Sequence, residues 1–191
     1  MIVYLHGFNS TPGSHKAQTL HAYMKARGVD HLYDCPVLPH FPGDAIRVIE
    51  AALAKHAAKS VTLLGSSLGG FYATYLAEKH NCRAVLIQPA VTPHIGLKAL
   101  LGPQQNLYSG ERYELTPAHL AVWSTLGVER IDPERYLLLL ETGDEVLDWR
   151  EAARKYAGAR TVIRDGGDHT LRSFPEHIPR ILEFAGIHPR A

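Results

Sequence analysis

The stretch Val61-Thr62-Leu63-Leu64-Gly65-Ser66-Ser67-Leu68-Gly69 decides the fold. It starts as an apolar run typical of a buried strand and ends in Gly-x-Ser-x-Gly, after which apolar residues recur at helical spacing. A strand that turns this sharply into a helix strains the backbone of the central serine, and glycines are needed on either side because side chains would collide there. The pattern predicts Ser67 as a nucleophile and Ser66 as structural, but an ordinary strand-to-helix loop fits the same five residues.

The composition is that of one domain with a full hydrophobic core, since 46% of the 191 residues are hydrophobic. The 20 basic and 19 acidic residues nearly cancel, so the charge points neither to nucleic acid nor to an anionic membrane as a partner. The sequence shows neither a signal-peptide pattern nor an apolar run near the ~18 residues of a membrane span. We interpret Cys35 and Cys82 as core thiols of a cytoplasmic protein.

Short β-rich runs alternate with helical patterns along the chain, which predicts an α/β fold: an open, mostly parallel sheet of about six strands with helices on both faces. Several runs are continuously apolar, as in strands buried on both sides. The predicted strands are Ile2–Leu5, His31–Val37, Ser60–Leu64, Arg83–Gln88, Tyr136–Glu141 and Thr161–Arg164. A capping box, Ser173 with Glu176, is predicted to open the last helix.

The segment 89–135 interrupts this alternation. It contains no convincing strand, and one helix is predicted to begin at Pro117, after Thr116, and to end before Gly127. A long insertion between two sheet strands usually covers a site or binds something, so we interpret it as a helical cap within a single domain spanning 1–191. A helical excursion that only packs on the core is the alternative.

Two later loops carry the partners that a serine nucleophile requires, namely a base and a carboxylate that orients it. Asp144 follows the strand Tyr136–Glu141, and His169 follows Thr161–Arg164. The carboxyl ends of parallel strands meet at one edge of a sheet, so the sequence predicts a Ser67–His169–Asp144 triad there.

Neighbouring side chains compete for these roles. Asp148 could replace Asp144, but it is better explained as a helix cap, and the side chain of Glu145 should point elsewhere. Asp165 and Asp168 flank a Gly-Gly turn and are interpreted as turn formers.

The first strand ends in Leu5-His6-Gly7-Phe8-Asn9-Ser10, where glycine permits a close backbone approach. We expect the backbone N–H groups of Phe8 and Leu68 to form an oxyanion hole, with His6 bracing the loop by hydrogen bonding. Apolar candidates for substrate binding near the mouth of the site are Phe8, Tyr108, Trp123 and Val146.

Taken together, these stretches resemble the α/β-hydrolase superfamily and, within it, the small bacterial YqiA-like esterases. The resemblance spans essentially the whole chain and is carried by residues 1–10, 65–73, 88–90, 141–148 and 167–169. It implies a cytoplasmic serine esterase without cofactor that hydrolyses small-molecule acyl esters, with acyl thioesters as a second substrate class. It also implies a reduced sheet that begins at the strand bearing the oxyanion loop.

We therefore expect a serine carboxylester hydrolase without a metal or cofactor. An acyltransferase or peptidase would use the same triad, and a non-catalytic binding module could share the fold. The sequence does not indicate an oligomeric state.

Overall fold

The structure is a computed structural model that describes residues 1–56, 60–106 and 108–188. Six parallel strands form one sheet in the order β2-β1-β3-β4-β7-β8. They are β1 (Ile2–Leu5), β2 (Tyr33–Asp34), β3 (Thr62–Ser66), β4 (Arg83–Ile87), β7 (Tyr136–Glu141) and β8 (Arg160–Arg164). The helices are α1 (His15–Lys25), α2 (Pro42–Leu53), α3 (Leu68–His80), α4 (Pro93–Gly96), α5 (Pro117–Thr125), α6 (Trp149–Lys155) and α7 (Phe174–Phe184).

Helices cover both faces of the sheet because successive strand residues point to opposite sides. Within β7, Leu138 and Leu140 pack in a cluster with α2, α3, α5 and α6, whereas Leu137 and Leu139 pack in a second cluster with α1 and α7. All residues of β1, β3 and β7 are buried. This explains the continuously apolar runs and confirms the predicted fold class.

Two strand predictions need correction. Only Tyr33 and Asp34 of the predicted strand His31–Val37 pair with β1. The chain then reaches Pro36, which lacks an N–H, and the Leu38 N–H donates to the ring of His6 rather than to a strand. The predicted strand Ser60–Leu64 lies two residues further on, as β3, because the strand continues to Ser66, directly before the turn.

The segment 89–135 is not free of strands, contrary to the prediction. β5 (Gly102–Gln105) and β6 (Arg112–Leu115) form an antiparallel hairpin outside the main sheet. The rest of the segment includes α4, a 3₁₀ turn at Leu97–Leu100 and α5, which starts at Pro117 as expected.

Candidate active site

The turn between β3 and α3 has the geometry that the sequence pattern predicts. Ser67 adopts φ 53° and ψ −120°, a strained conformation for a residue with a side chain. A Cβ on Gly65 would lie 2.2 Å from the carbonyl oxygen of Gly69, and one on Gly69 would lie 2.0 Å from that of Leu5. Only glycine fits at both positions. The Ser67 N–H donates to the Ile87 carbonyl at 3.0 Å, which ties the turn to the end of β4.

The structure brings the three predicted triad residues together. His169 Nε2 lies 3.1 Å from Ser67 Oγ, and His169 Nδ1 lies 2.9 and 2.8 Å from the two carboxylate oxygens of Asp144. Each residue directly follows or closely follows the carboxyl end of its strand. These are hydrogen-bond distances, so a proton can pass between serine and imidazole while the carboxylate holds the ring.

The Asp144 carboxylate is held in its charged form. Burial by itself would raise the pKa of Asp144, but hydrogen bonds from His169 and from the Leu147 and Val146 N–H groups outweigh it, and the net shift is downward. Both backbone bonds measure 2.9 Å. The rival Asp148 instead accepts the Arg150 N–H at 3.0 Å as the cap of α6.

Glu141, the last residue of β7, carries a buried carboxylate. Its sequence pattern predicts a strand residue and no role in the site. It accepts the N–H groups of Asp168, Arg172 and Ser173 at 3.0, 3.1 and 2.9 Å, and the Ser173 hydroxyl at 2.6 Å. Burial opposes the charged form, yet these bonds leave the pKa of Glu141 lowered. Glu141 therefore fastens the histidine loop to the strand that precedes Asp144.

The hydrogen bonds to Glu141 show that the predicted capping box of Ser173 and Glu176 is wrong. The Ser173 hydroxyl makes no cap bond to α7, because it donates to Glu141 instead. A glutamate ending a strand just before the acid loop, followed by a Gly-Gly turn in the histidine loop, is the signal that could have pointed to Glu141. A Cβ on Gly167 would overlap its carboxylate.

The loop after β1 lies against the nucleophile turn. A Cβ on Gly7 would be 3.3 Å from Ser67 Cβ, so the backbone at Gly7 and Phe8 passes directly beside the serine. Among the described residues, neither the Phe8 N–H nor the Leu68 N–H has a hydrogen-bond partner. Both donors are thus available to an oxyanion at Ser67.

His6 braces this loop, as the sequence predicts. The Leu38 N–H donates to His6 Nε2 at 3.0 Å, which requires that nitrogen to be unprotonated. The proton then lies on Nδ1, which is 3.1 Å from the Gly7 carbonyl oxygen. Burial lowers the pKa of His6, with the bond to Gly7 opposing, so the neutral ring that the geometry needs is favoured.

The hairpin β5–β6 also holds the loop after β1. The Tyr113 hydroxyl donates to Asn9 Oδ1 at 2.8 Å, and the Asn9 amide donates to Gln104 at 3.2 Å. Asn106 donates to the Ser10 carbonyl at 3.1 Å. Asn9 has a φ of 50°, a left-handed conformation that Asn tolerates better than most residues. The hairpin therefore positions the residues next to Phe8.

A cavity of about 790 Å³ opens beside Ser67 and His169. One wall is apolar and includes Val91, Ile95, Leu97 and Leu100 from the segment 89–135. Of the predicted substrate-binding residues, Phe8, Tyr108 and Val146 line this cavity.

Trp123 does not lie at the mouth of the site, contrary to the prediction. Its side chain is fully buried in the core, and its indole N–H donates to the Tyr72 hydroxyl at 2.8 Å. An aromatic residue at helical spacing packs inward when its helix lies against the sheet layer.

The parallel sheet, the strained serine turn and the loops at its carboxyl edge define an α/β-hydrolase fold. The same fold occurs in alpha/beta hydrolase domain-containing protein 10 from mouse, with 16% identity and a TM-score of 0.71 over 97% of this chain and 89% of that one. It also occurs in the esterase domain of a protein from Rhodothermus marinus, with 17% identity and a TM-score of 0.67 over 96% and 85%. A monoacylglycerol lipase from Paleococcus ferrophilus matches with 16% identity and a TM-score of 0.66 over 96% and 93%.

The chain belongs to the family described as "Uncharacterised protein family (UPF0227)", whose model matches residues 1–186. A UPF0227 protein from Serratia proteamaculans is 25% identical over 187 residues, covering 96% of this chain and 98% of the relative. The UPF0227 protein YcfP from Salmonella paratyphi B is 22% identical over 186 residues, with the same coverage. These matches confirm the resemblance drawn from the sequence.

Proposed function

We propose that the protein is a serine hydrolase of small-molecule carboxylic esters. The observation that carries the proposal is the unbroken chain of hydrogen-bond distances from Asp144 through His169 to Ser67 at the wall of a large cavity. The esterase domain from Rhodothermus marinus and the monoacylglycerol lipase from Paleococcus ferrophilus, which share the fold, support this reaction class.

In this mechanism His169 removes the Ser67 proton as the serine oxygen attacks the ester carbonyl carbon. The N–H groups of Phe8 and Leu68 donate to the resulting oxyanion, and Asp144 stabilises the imidazolium. His169 then gives its proton to the leaving alcohol, which breaks the ester bond and leaves an acyl-serine. Water, activated by the same imidazole, hydrolyses the acyl-enzyme and restores Ser67.

The segment 89–135 supplies much of the cavity wall, and we assign it the role of a cap within a single domain. Its apolar residues Val91, Leu97 and Leu100 would contact the acyl chain of the substrate. Phe8, Tyr108 and Val146 would contact the substrate as it enters the cavity. Acyl thioesters fit the same machinery, because the thiolate is a good leaving group.

Ser67→Ala tests the proposal directly. We expect hydrolysis of 4-nitrophenyl butyrate to fall by about 10⁶-fold, since removing the nucleophile of a triad removes the covalent route. Labelling by a fluorophosphonate probe should be lost as well, while the circular dichroism spectrum stays unchanged.

Ser124→Ala is the matched control, because Ser124 is an exposed serine in α5 that does not line the cavity. Its turnover and labelling should equal those of the wild type. Retained turnover in a folded Ser67→Ala protein would refute the proposal, and a wild type that labels but turns over only with an added acyl acceptor would favour an acyltransferase.

A further inference from the structure

Lys16 is a cation in the wall of the catalytic cavity that the proposed mechanism does not use. It lies in the first turn of α1, and its side chain lines the same cavity as Ser67 and His169. Its ammonium donates to the carbonyl oxygen of Thr170 at 2.9 Å. Because Thr170 directly follows His169, the ammonium is bonded to the loop that carries this histidine.

No carboxylate of a described residue is in direct contact with the ammonium. None of the ion pairs among the described residues includes Lys16. One carbonyl uses one of its three N–H donors. Burial lowers the pKa of Lys16, and the charges of Asp168, Asp144 and Glu141 oppose that shift and favour the ammonium form. A partly buried charge without a direct counter-ion is costly unless a ligand completes its shell.

The start of α1 adds positive charge near Lys16. Ser14, His15 and Lys16 all line the cavity, and Ser14 is the residue before the helix, with a hydroxyl that makes no cap bond. The first N–H groups of the helix carry the partial positive charge of a helix N-terminus. The acidic residues that line the cavity are Asp148, which caps α6, and Glu151 within α6. Together with Asp144, Asp168 and Glu141, they would repel an anion that did not contact the ammonium directly.

We propose that Lys16 binds a negatively charged group of the substrate, so that the preferred ester carries a carboxylate or phosphate near the scissile bond. This inference rests on the proposed esterase function and narrows its substrate class. One end of the substrate would meet Lys16, and its apolar part would lie along Val91, Leu97 and Leu100. The same ammonium can serve an anion on the acyl part or on the alcohol part.

Two matched pairs of esters distinguish an anion on the acyl part of the substrate from an anion on the alcohol part. The acyl pair is 4-nitrophenyl valerate and the 4-nitrophenyl monoester of glutaric acid, and the alcohol pair is phenyl acetate and 3-carboxyphenyl acetate. The readout is the ratio of kcat/KM for the anionic ester to kcat/KM for the neutral one. We expect the wild type to favour the anionic member of one pair, and the pair concerned identifies the part of the substrate that carries the charge.

Lys16→Met should lower that ratio by roughly tenfold to a hundredfold, as expected for loss of a charged hydrogen bond. The variant also loses the bond to Thr170, and any loss of rate that both esters share cancels in the ratio. Lys16→Arg should keep most of the preference. Lys25→Met is the matched control, because Lys25 lies exposed in the last turn of the same helix and does not line the cavity.

An unchanged ratio in folded Lys16→Met, or a wild type that prefers the neutral member of both pairs, would overturn the inference and leave the esterase proposal standing. Turnover that survives Ser67→Ala would instead remove the esterase proposal itself. If Lys16→Met does not fold, the wild-type ratio measured from low to high salt takes its place. Screening should then reduce the ratio, and a salt-independent ratio would contradict the role of Lys16.

Discussion

The orientation of the Asp144 carboxylate depends on the groups that donate hydrogen bonds to it. Its Oδ1 accepts the Val146 and Leu147 N–H groups, and both oxygens lie within 2.9 Å of His169 Nδ1. Because the backbone donors occupy Oδ1, the orientation of the carboxylate is set before a substrate arrives. The nucleophile is held in a comparable way, since the positive φ of Ser67 is maintained by bonds to the end of β4.

Asp144→Asn should reduce ester hydrolysis by about 10⁴-fold without unfolding the protein. The amide oxygen would keep the two backbone bonds, so the amide NH₂ would face His169 Nδ1. The imidazole would then carry its proton on Nε2 and could not accept the one from Ser67. Steady-state kinetics with a 4-nitrophenyl ester measures the loss.

Asp148→Asn serves as the comparison, because Asp148 is the rival carboxylate and caps α6. Its activity should stay within the same order of magnitude as that of the wild type. A larger loss in Asp148→Asn than in Asp144→Asn would reverse the assignment of the acid.

At the scale of elements, the segment 89–135 contacts the loop after β1 as well as the cavity. The hairpin β5–β6 reaches the loop after β1 through three side-chain bonds, from Tyr113, Asn9 and Asn106. Asn9, in the loop after β1, and Gln88, directly after β4, are non-glycine residues with a positive φ. Loops held in such conformations keep them only when neighbouring elements supply compensating bonds.

Tyr113→Phe should lower kcat by roughly fivefold with little change in KM, because it removes one hydrogen bond, worth about 1 kcal/mol, that positions the oxyanion loop. The ring itself should stay in place, since it stacks on His40 at 4.2 Å. A loss confined to KM would argue for a direct substrate contact instead. Tyr23→Phe, on α1 away from this loop, is the control.

Local sequence patterns predicted some of the strands and helices of this fold and missed others. β7 coincides with a continuous apolar run, and α5 begins at Pro117, as their sequence patterns predict. β5 and β6 carry only weak signals, because Pro103 lies within β5 and the apolar alternation of β6 covers just the four residues Arg112–Leu115. Their pairing is stabilised by contacts with a loop about a hundred residues earlier in the chain, and local propensity contains no information about those contacts.

For the whole molecule, the buried titratable groups make acid conditions destabilising. Burial lowers the pKa of His6 and of His177 from the ordinary 6.5. The pKa values of Glu141 and Asp144 are lowered from 4.5 and 3.8, because hydrogen bonds outweigh burial. In all four cases the unfolded chain takes up a proton at a higher pH than the folded one, so stability falls as pH falls.

We expect the free energy of unfolding to decrease first below about pH 6.5, where unfolded histidines protonate, and again below about pH 4.5, where unfolded carboxylates do. Urea denaturation at a series of pH values measures both windows. His6→Gln should make the decrease below pH 6.5 smaller, with the contribution of His177 remaining, and should leave the decrease below pH 4.5 unchanged. A stability that rises between pH 7 and pH 5 would contradict the prediction.

No helix among the residues described is long and apolar enough to span a membrane. Esters that reach the cavity would pass a rim on which Ile95, Tyr108 and Val146 are exposed. The whole molecule thus combines an apolar entrance with a cation at Lys16, and this combination is what the proposed anionic ester would use.

The sequence by itself determined the parallel sheet, the tight turn at Ser67 and the order of the loops that bear Asp144 and His169, because apolar runs, obligatory glycines and strand ends are local signals. Only the tertiary structure decided what each polar group contacts. It placed Glu141 against the histidine loop, the hairpin against Asn9, Trp123 inside the core and Lys16 against the carbonyl oxygen of Thr170. Those contacts join residues far apart in the chain, and they depend on how the layers pack rather than on any spacing along the sequence.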